Sequence, residues 1–243
     1  SEWYFEKFAT DESSTEGLFE DYDHPNTRVT HMTVDHELPM TFWRSVGHSY
    51  TAFAKESMID EMAEAAGMDE VAFRLQNTQN TPRLNNVIRV AGEKMAKMTP
   101  PEGRHLGFAA HHSFHTDVAE IAEVSVENGK IRVHKVTCVL DCGLAVNPDI
   151  VRAQMEGGVI YGLTAALYGG LNLERGAIKE SNFHDYPMLR MNESPEIEVT
   201  IIKSGTKPTG VGEPGLPPIA PAVANAVYKA TGQRLRSLPL QLA

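Results

Sequence analysis

The apolar positions in the first hundred residues recur every three or four residues, which is the period of an α-helix. They predict helices over about residues 51–66, 69–76 and 87–98. Ser49 is placed to cap the first of these helices and Gly67 to end it. The first part of the chain is therefore predicted to be mainly helical.

Alternating apolar and polar positions, the pattern of a β-strand, dominate the chain beyond residue 104. Asn128-Gly129 favours a hairpin turn there, because both residues tolerate positive φ. Helical patterns return from Asn147-Pro148 to about residue 168 and over residues 217–231. The predicted strands cover residues 28–37, 106–112, 119–126, 131–141 and 196–202, with two short strands joined by Glu174-Arg175-Gly176. These elements predict an α+β fold with mixed, largely antiparallel sheets and packed helices.

A stretch rich in Asn, Pro and Thr over residues 77–104 is the best candidate for a boundary between two parts of the chain. It predicts an N-terminal segment, residues 1–100, that contains helices and an aromatic loop around Arg44. The remaining C-terminal α+β portion, residues 101–243, carries a glycine- and proline-rich loop around Glu213.

Composition and charge exclude several classes of function. The chain has 243 residues, of which 42% are apolar and 22% charged, as in an ordinary globular protein. Its net charge is −10 and no Lys/Arg cluster stands out, which argues against nucleic acid and anionic membrane surfaces as partners. No run of about 18 apolar residues is present, so no membrane-spanning segment is predicted. Cys138 and Cys142 lie too far apart along an extended strand for a disulfide, which favours free thiols.

Glu213 is the strongest candidate for a catalytic group. It lies in the sequence GVGEPG, residues 210–215, whose glycines and prolines predict a fixed, irregular loop ahead of a helix. A carboxylate on such a loop can enter a site at close backbone approach and act as a general base. The alternative is that Glu213 merely caps the following helix.

The predicted helix after Asn147 contains a second candidate site. Gly157 and Gly158 lie in its interior, where each glycine costs roughly 1 kcal/mol relative to Ala, so a backbone or ligand is expected to approach closely. Gln154 shares a helix face with Gly158 and Tyr161 and offers both a donor and an acceptor, which suits the edge of a heterocycle. The alternative is tight packing at the glycines with Gln154 merely exposed.

Arg44 lies among aromatic residues outside any periodic element, in the sequence FWRSVGH of residues 42–48. It is a candidate to stabilise negative charge that develops on a substrate. The alternative is an arginine stacked on Trp43 for packing.

Two further polar clusters are interpreted as structural. His111, His112 and His115 are poor metal ligands as a set, because a strand places the first two on opposite faces and no acidic ligand follows at a known spacing. The acidic positions of the first long helix are predicted to form a solvated face: Glu56, Asp60, Glu61 and Glu64.

Taken together, these motifs resemble the molybdenum hydroxylases, the family of xanthine dehydrogenase and aldehyde oxidoreductase. The likeness is greatest to the C-terminal part of the molybdopterin-binding β-subunit of the isoquinoline 1-oxidoreductase type. The matching segments follow one another in family order across about residues 18–240. They are YDHPN (22–26), FWRSVGH (42–48), DCGLAVNP (141–148), RAQMEGG (152–158), SNFHDYP (181–187), GVGEPG (210–215) and RLRSLP (234–239).

The resemblance implies a role for each candidate. Glu213 matches the general base and Arg44 the arginine beside the substrate. Val46 stands where relatives of the xanthine type have an aromatic residue, which argues against a purine substrate. The implied cofactor-binding residues are Gln154, Gly157, Gly158 and Gly212, and the implied substrate pocket includes Trp43 and Val46.

The resemblance also implies cofactors and partners. The cofactor would be molybdopterin cytosine dinucleotide with molybdenum, shared with the N-terminal part of the molybdenum subunit, and no residue of this chain would bind the metal directly. Electrons would pass to [2Fe–2S] clusters on a small partner subunit, with a cytochrome as a candidate acceptor. The implied reaction hydroxylates or oxidises an N-heteroaromatic or aldehyde substrate with oxygen from water. The alternative is a non-catalytic assembly subunit of the same complex. Many relatives are exported, which favours the periplasm over the cytoplasm.

Overall fold

A computed structural model describes residues 12–18, 21–32, 34 and 41–242 of the chain. A 3-10 turn at Glu12–Ser14 precedes the helices. The helices are α1 (His48–Ala65), α2 (Glu70–Gln76), α3 (Pro82–Met95), α4 (Pro148–Leu167) and α5 (Ile219–Thr231). The strands are β1 (Arg104–Ser113), β2 (Thr116–Glu127), β3 (Lys130–Asp141), β4 (Leu173–Glu174), β5 (Ala177–Ile178) and β6 (Glu196–Ile201).

The central sheet has the strand order β1-β2-β3-β6. β1, β2 and β3 are antiparallel neighbours, and the turn between β2 and β3 contains Asn128 and Gly129, both at positive φ. β6 joins the edge of β3 in parallel, while β4 and β5 form a separate two-stranded ribbon. The prediction of an α+β fold with largely antiparallel sheets is confirmed.

The two faces of the sheet are covered by different helices. α5 packs on one face, where Ala109 and Ala122 contact its apolar side chains. α3 packs on the other face, where Phe108 and Ile121 lie in a second apolar cluster. Gly107 allows α5 to approach closely, because a Cβ at this position would lie 2.1 Å from the backbone oxygen of Ala222. The sheet is therefore buried between α3 and α5.

Several element boundaries differ from the prediction. α1 begins at His48, with Gly47 as its N-cap, so the prediction that Ser49 caps the helix is wrong. Ser49 lies inside the first turn, where its hydroxyl donates to the carbonyl of Val46 at 2.7 Å. Residues 28–32 and 34 are not in a strand, and the rest of the predicted strand over residues 28–37 lies outside the described residues.

The stretch over residues 77–104, predicted as a boundary, contains α3 and therefore contributes directly to the sheet's covering layer. α1 also packs on β1 and α5. The division into residues 1–100 and 101–243 stays a prediction.

Cys138 and Cys142 are buried free thiols. Within the described ranges, no helix combines the length and the apolar character that crossing a membrane requires.

The acidic face of α1 is not solvated along its whole length, so that prediction is wrong for its inner residues. Glu56 is fully buried and accepts a hydrogen bond from Arg74 Nε at 3.0 Å. Glu56 also accepts from the backbone N–H of Ala110 at 2.9 Å, and Asp60 is buried beside the same guanidinium. The outer members of the face are Glu61 and Glu64, which pair with Arg236 and Arg234.

Glu120 is a second buried carboxyl group, and it lies in the middle of β2 opposite Cys138 of β3. Neither of its carboxylate oxygens has a hydrogen-bond partner among the described residues. Burial raises the pKa of Glu120 well above its usual range. The folded chain therefore carries this carboxyl group in its protonated, neutral form at neutral pH.

The burial of the Glu120 carboxyl group makes the free energy of unfolding fall as pH rises. Above about pH 4.5, the ordinary value for a glutamate, the unfolded chain loses the Glu120 proton while the folded chain keeps it. We expect Glu120→Gln to raise the free energy of unfolding relative to wild type, by a margin that grows by up to about 1.4 kcal/mol per pH unit. Denaturant titrations between pH 5 and 8 measure this margin. Glu102→Gln, at an exposed position, is the control, and a margin for Glu120→Gln that does not change with pH would contradict the account.

α4 packs closely against the loop that precedes α5. Asn147 caps α4, since its side-chain oxygen accepts from the backbone N–H of Asp149 at 3.1 Å. At Gly158 an added Cβ would lie 3.0 Å from the carbonyl carbon of Gly215. The neighbouring Gly157 is exposed, and an added Cβ there meets none of the described residues within 4 Å. Close backbone packing therefore explains Gly158 but not Gly157.

The two adjacent glycines provide a matched pair of variants. We expect Gly158→Ala to lower the free energy of unfolding by about 1–3 kcal/mol, because the new methyl group meets fixed backbone. We expect Gly157→Ala to raise it by up to about 1 kcal/mol, because Ala is favoured over Gly in a helix. Denaturant unfolding of both variants measures the difference, and equal effects would show that α4 does not press on this loop.

Candidate active site

Two loops that are distant in the sequence meet beside α4. The first is the turn over residues 43–47 at the start of α1, and the second is the glycine-rich loop over residues 210–215. Hydrogen bonds between them bring Arg44 next to the backbone of Gly212 and Ser45 next to Glu213. Four of the residues selected from the sequence thus lie together: Arg44, Gln154, Gly212 and Glu213.

The Arg44 guanidinium is fixed by both the loop and the helix. Its Nε donates to the carbonyl of Gly212 at 2.8 Å, and one Nη group also donates to this carbonyl. The same Nη lies 3.4 Å from the Gln154 side-chain oxygen. Its central carbon lies 5.7 Å from the centre of the Tyr161 ring, and the Trp43 ring packs against that ring, tilted by 35°, with the two centroids 4.9 Å apart. The aromatic partner of Arg44 is therefore Tyr161 rather than the Trp43 considered from the sequence.

Glu213 is held by Ser45 through two hydrogen bonds. The Ser45 backbone N–H donates to Glu213 Oε1 at 3.1 Å, and the Ser45 hydroxyl donates to the Glu213 backbone oxygen at 2.9 Å. The cap of α5 is Pro218, five residues further on, and it makes no side-chain capping bond. The alternative that Glu213 merely caps this helix is therefore wrong.

Ser45 is the site residue that sequence reasoning missed. It is fully buried, with φ at 71°, and the next residue, Val46, has φ at 46°. Positive φ is uncommon outside glycine and is a genuine outlier for a β-branched residue such as Val46. Nothing in a Ser-Val pair predicts this conformation, and the only available signal was the position of Ser45 next to Arg44.

Gln154 lies on an open face of α4 that points toward the two loops. Gln154 and Gly157 are exposed, and Tyr161 is 41% exposed one turn further along the same face. Among the described residues, no atom lies within 4 Å of a Cβ built at Gly157. This open, partly polar strip can accommodate a planar heterocycle, with the Gln154 carboxamide beside it. Gly158 faces the loop at Gly215 instead, and its assignment to cofactor binding stays a prediction.

His111 and His112 lie on β1, whereas His115 lies in the turn before β2, where its ring meets the His112 ring edge-on at 6.5 Å. His111 is buried, whereas His112 is partly exposed and its Nδ1 lies 2.7 Å from Asp117 Oδ1. The His115 backbone oxygen accepts a hydrogen bond from Arg83. In the part of the chain that the structure describes, no three His, Cys, Asp or Glu side chains are arranged to hold a metal ion.

Comparison with known proteins identifies a family. Residues 40–195 match the family described as "Molybdopterin cofactor-binding domain", a range that includes Arg44 and Gln154. The chain is 37% identical over 247 residues to the beta subunit of isoquinoline 1-oxidoreductase from Brevundimonas diminuta, covering 99% of this chain and 32% of that protein. It is 32% identical over 240 residues to a subunit of nicotinate dehydrogenase from Pseudomonas putida, covering 90% of this chain and 20% of that protein.

A solved structure shares the fold. The aldehyde oxidoreductase from Desulfovibrio desulfuricans superposes with a TM-score of 0.68 over 82% of this chain and 40% of that chain, at 17% sequence identity. The chain spans about a third or less of the length of the two curated relatives. The predicted resemblance to the molybdenum hydroxylases is confirmed, and the chain belongs to the molybdopterin cofactor-binding domain family.

Proposed function

We propose that this chain forms part of the molybdenum-binding subunit of a hydroxylase that oxidises an N-heteroaromatic compound or an aldehyde with oxygen from water. The observation that carries the proposal is the convergence of Glu213, Arg44 and Gln154 from two loops and one helix. The names of the relatives support the substrate class, since they refer to isoquinoline, nicotinate and an aldehyde.

The residues of the open helix face fit a pterin cofactor. The Gln154 carboxamide can pair with both donors and acceptors at the edge of a planar ring, and Gly157 leaves room beside it. Gly212 is exposed, and a Cβ there would lie 3.9 Å from the Gln154 oxygen, so bulk at this position would crowd the strip. When bound, the molybdenum cofactor supplies the two-electron oxidation and the water-derived oxygen. Molybdopterin cytosine dinucleotide is the form we propose.

Glu213 acts as the general base in this proposal. Ser45 holds Oε1, and among the described residues no hydrogen bond involves Oε2. Oε2 is therefore free to accept the proton that is released when the water-derived oxygen bonds to the substrate carbon. The paired contacts of Ser45 with the carboxylate and the backbone of Glu213 fix the direction of the base.

Arg44 provides positive charge beside this base. Two of its nitrogens are occupied by the Gly212 carbonyl and the Gln154 side chain, which prevents the guanidinium from swinging away. A fixed cation stabilises negative charge that builds up on the substrate in the transition state. Trp43 precedes Arg44 in the sequence and Val46 follows it by two residues, and these two side chains would contribute the apolar wall of the substrate pocket.

The remaining parts of the machinery would lie on other polypeptide segments. The proposed partners are the N-terminal part of the molybdenum subunit, a small subunit with [2Fe–2S] clusters and a cytochrome acceptor. The relatives are named as subunits, which supports assembly with partner chains. We place the complex in the periplasm.

The Glu213→Gln variant of the purified intact enzyme tests the proposal. We expect kcat to fall by about 10²-fold to 10⁴-fold, because Gln keeps the shape of Glu but cannot accept the proton. Molybdenum and pterin contents, measured by metal analysis and by fluorescence of the released pterin, should stay at wild-type levels.

Glu127→Gln is the matched control, because Glu127 is an exposed carboxylate at the end of β2. It should retain full activity. A Glu213→Gln enzyme that turns over within a few-fold of wild type would contradict the assignment of the base and would favour the non-catalytic assembly role.

A further inference from the structure

A chain of buried polar groups lies behind the turn that carries Arg44 and Ser45. His48, in the first turn of α1, is 8% exposed, and its Nδ1 lies 2.9 Å from His111 Nε2. His111 Nδ1 lies 3.2 Å from Asp21 Oδ2 without hydrogen-bond geometry, and Asp21 forms an ion pair with Lys55. Gly17 packs on both imidazoles, since a Cβ there would lie 2.7 Å from each ring.

The surroundings of the two imidazoles keep both of them neutral near pH 7. Burial and the neighbouring His111 lower the pKa of His48 to about 4, and Lys55 and His112 also lower it. Asp21 acts in the opposite direction and raises the pKa of His48. Burial also lowers the pKa of His111. Burial alone would raise the pKa of Asp21, but Lys55 and His111 together hold it below its usual range. Because both rings are neutral, a nitrogen of one can donate a hydrogen bond to a nitrogen of the other without repulsion between two positive charges.

His48 connects this group of buried polar side chains to both loops of the candidate site. Along the sequence it follows Ser45 by three residues, so its ring anchors the beginning of α1 directly behind the turn. Across space its ring packs on Phe114 at 5.3 Å. The Phe114 backbone oxygen accepts from the N–H of Gly210 at 3.3 Å, which fixes the start of the loop that carries Glu213.

The turn needs such an anchor because its backbone is strained. Ser45 and Val46 both have positive φ, a conformation that is unfavourable for residues other than glycine and persists only where the surrounding structure holds it. This conformation directs the Ser45 N–H at Glu213 Oε1. A turn that relaxed to ordinary φ values would withdraw this donor from the carboxylate.

We propose that His48, held by His111 and Asp21, is a positioning residue that keeps the Ser45 N–H on the carboxylate of Glu213. This inference rests on the proposed role of Glu213 as the base. Without the His48 nitrogen, His111 Nε2 loses its partner in a buried environment, which favours rearrangement of the beginning of α1. The Glu213 carboxylate then loses the hydrogen-bond donor that fixes its direction.

Variants of the intact enzyme test this role with readouts that a merely structural residue would not change. We expect His48→Leu to lower kcat roughly 10-fold to 100-fold, as small misplacements of a catalytic group do, with molybdenum content and KM unchanged. Hydrogen–deuterium exchange over residues 44–47 should become faster. His48→Asn, whose carboxamide can replace the Nδ1 hydrogen bond, should restore most of the activity and the slow exchange.

His134→Leu is the matched control. His134 also hydrogen-bonds, to Ser125 at 2.8 Å, but it lies toward the opposite end of the sheet, near the β2–β3 turn. It should change neither kcat nor exchange over residues 44–47. His111→Gln provides a second variant in case His48→Leu does not fold, and it should shift the same readouts in the same direction.

Unchanged exchange over residues 44–47 in the His48 and His111 variants would overturn the proposal. A loss of activity in His134→Leu equal to that in His48→Leu would overturn it as well. If instead Glu213→Gln retains its activity, the role of the base fails, and the exchange measurement still decides whether His48 holds the turn.

Discussion

The buried carboxylate of Glu56 is the interaction on which the positions of the other elements depend. It accepts from Arg74 Nε on α2, from the Tyr22 hydroxyl of the N-terminal segment at 2.6 Å and from the Ala110 N–H of β1. One side chain on α1 thus fixes three other parts of the chain. Removing one partner of a buried, hydrogen-bonded pair commonly costs about 3–5 kcal/mol, because the other charge is left without compensation.

The candidate site follows from this arrangement. Once α1 is fixed against the edge of β1, its first turn places His48 beside His111 and the preceding residues beside the loop of Glu213. α4 supplies the third side of the site, where close packing of Gly158 on Gly215 determines how near Gln154 lies to Arg44. The contacts that Arg44 and Ser45 make with Gln154 and Glu213, on which the proposed chemistry depends, join residues more than a hundred positions apart in the sequence.

Local patterns predicted most of the secondary structure, because amphipathic helices and alternating strands leave their period in the sequence. The fold class is confirmed, and Gly/Pro spacing together with the motif series selected Arg44, Gln154 and Glu213, which do lie together. Their catalytic and binding roles stay predictions.

What could not be predicted depends on long-range contacts. Glu56 has the sequence context of a solvated helix face. Its buried carboxylate is stabilised by hydrogen bonds from Arg74 and from the Ala110 backbone N–H of β1, and no local pattern predicts these contacts. The predicted N-cap of α1, Ser49, is wrong because capping preference favours serine over glycine. The actual cap, Gly47, is required by close approach, since a Cβ there would lie 1.9 Å from the backbone oxygen of Ser13. The positive φ of Ser45 likewise arises from its surroundings.

The most direct test of the account is the location of molybdenum in crystals of the intact enzyme, measured by anomalous diffraction at the molybdenum absorption edge. The account predicts an anomalous peak in front of the Glu213 carboxylate, on the same side as Arg44 and the open face of α4 that carries Gln154. A peak remote from Glu213, or a Glu213 side chain directed away from the metal, would contradict it.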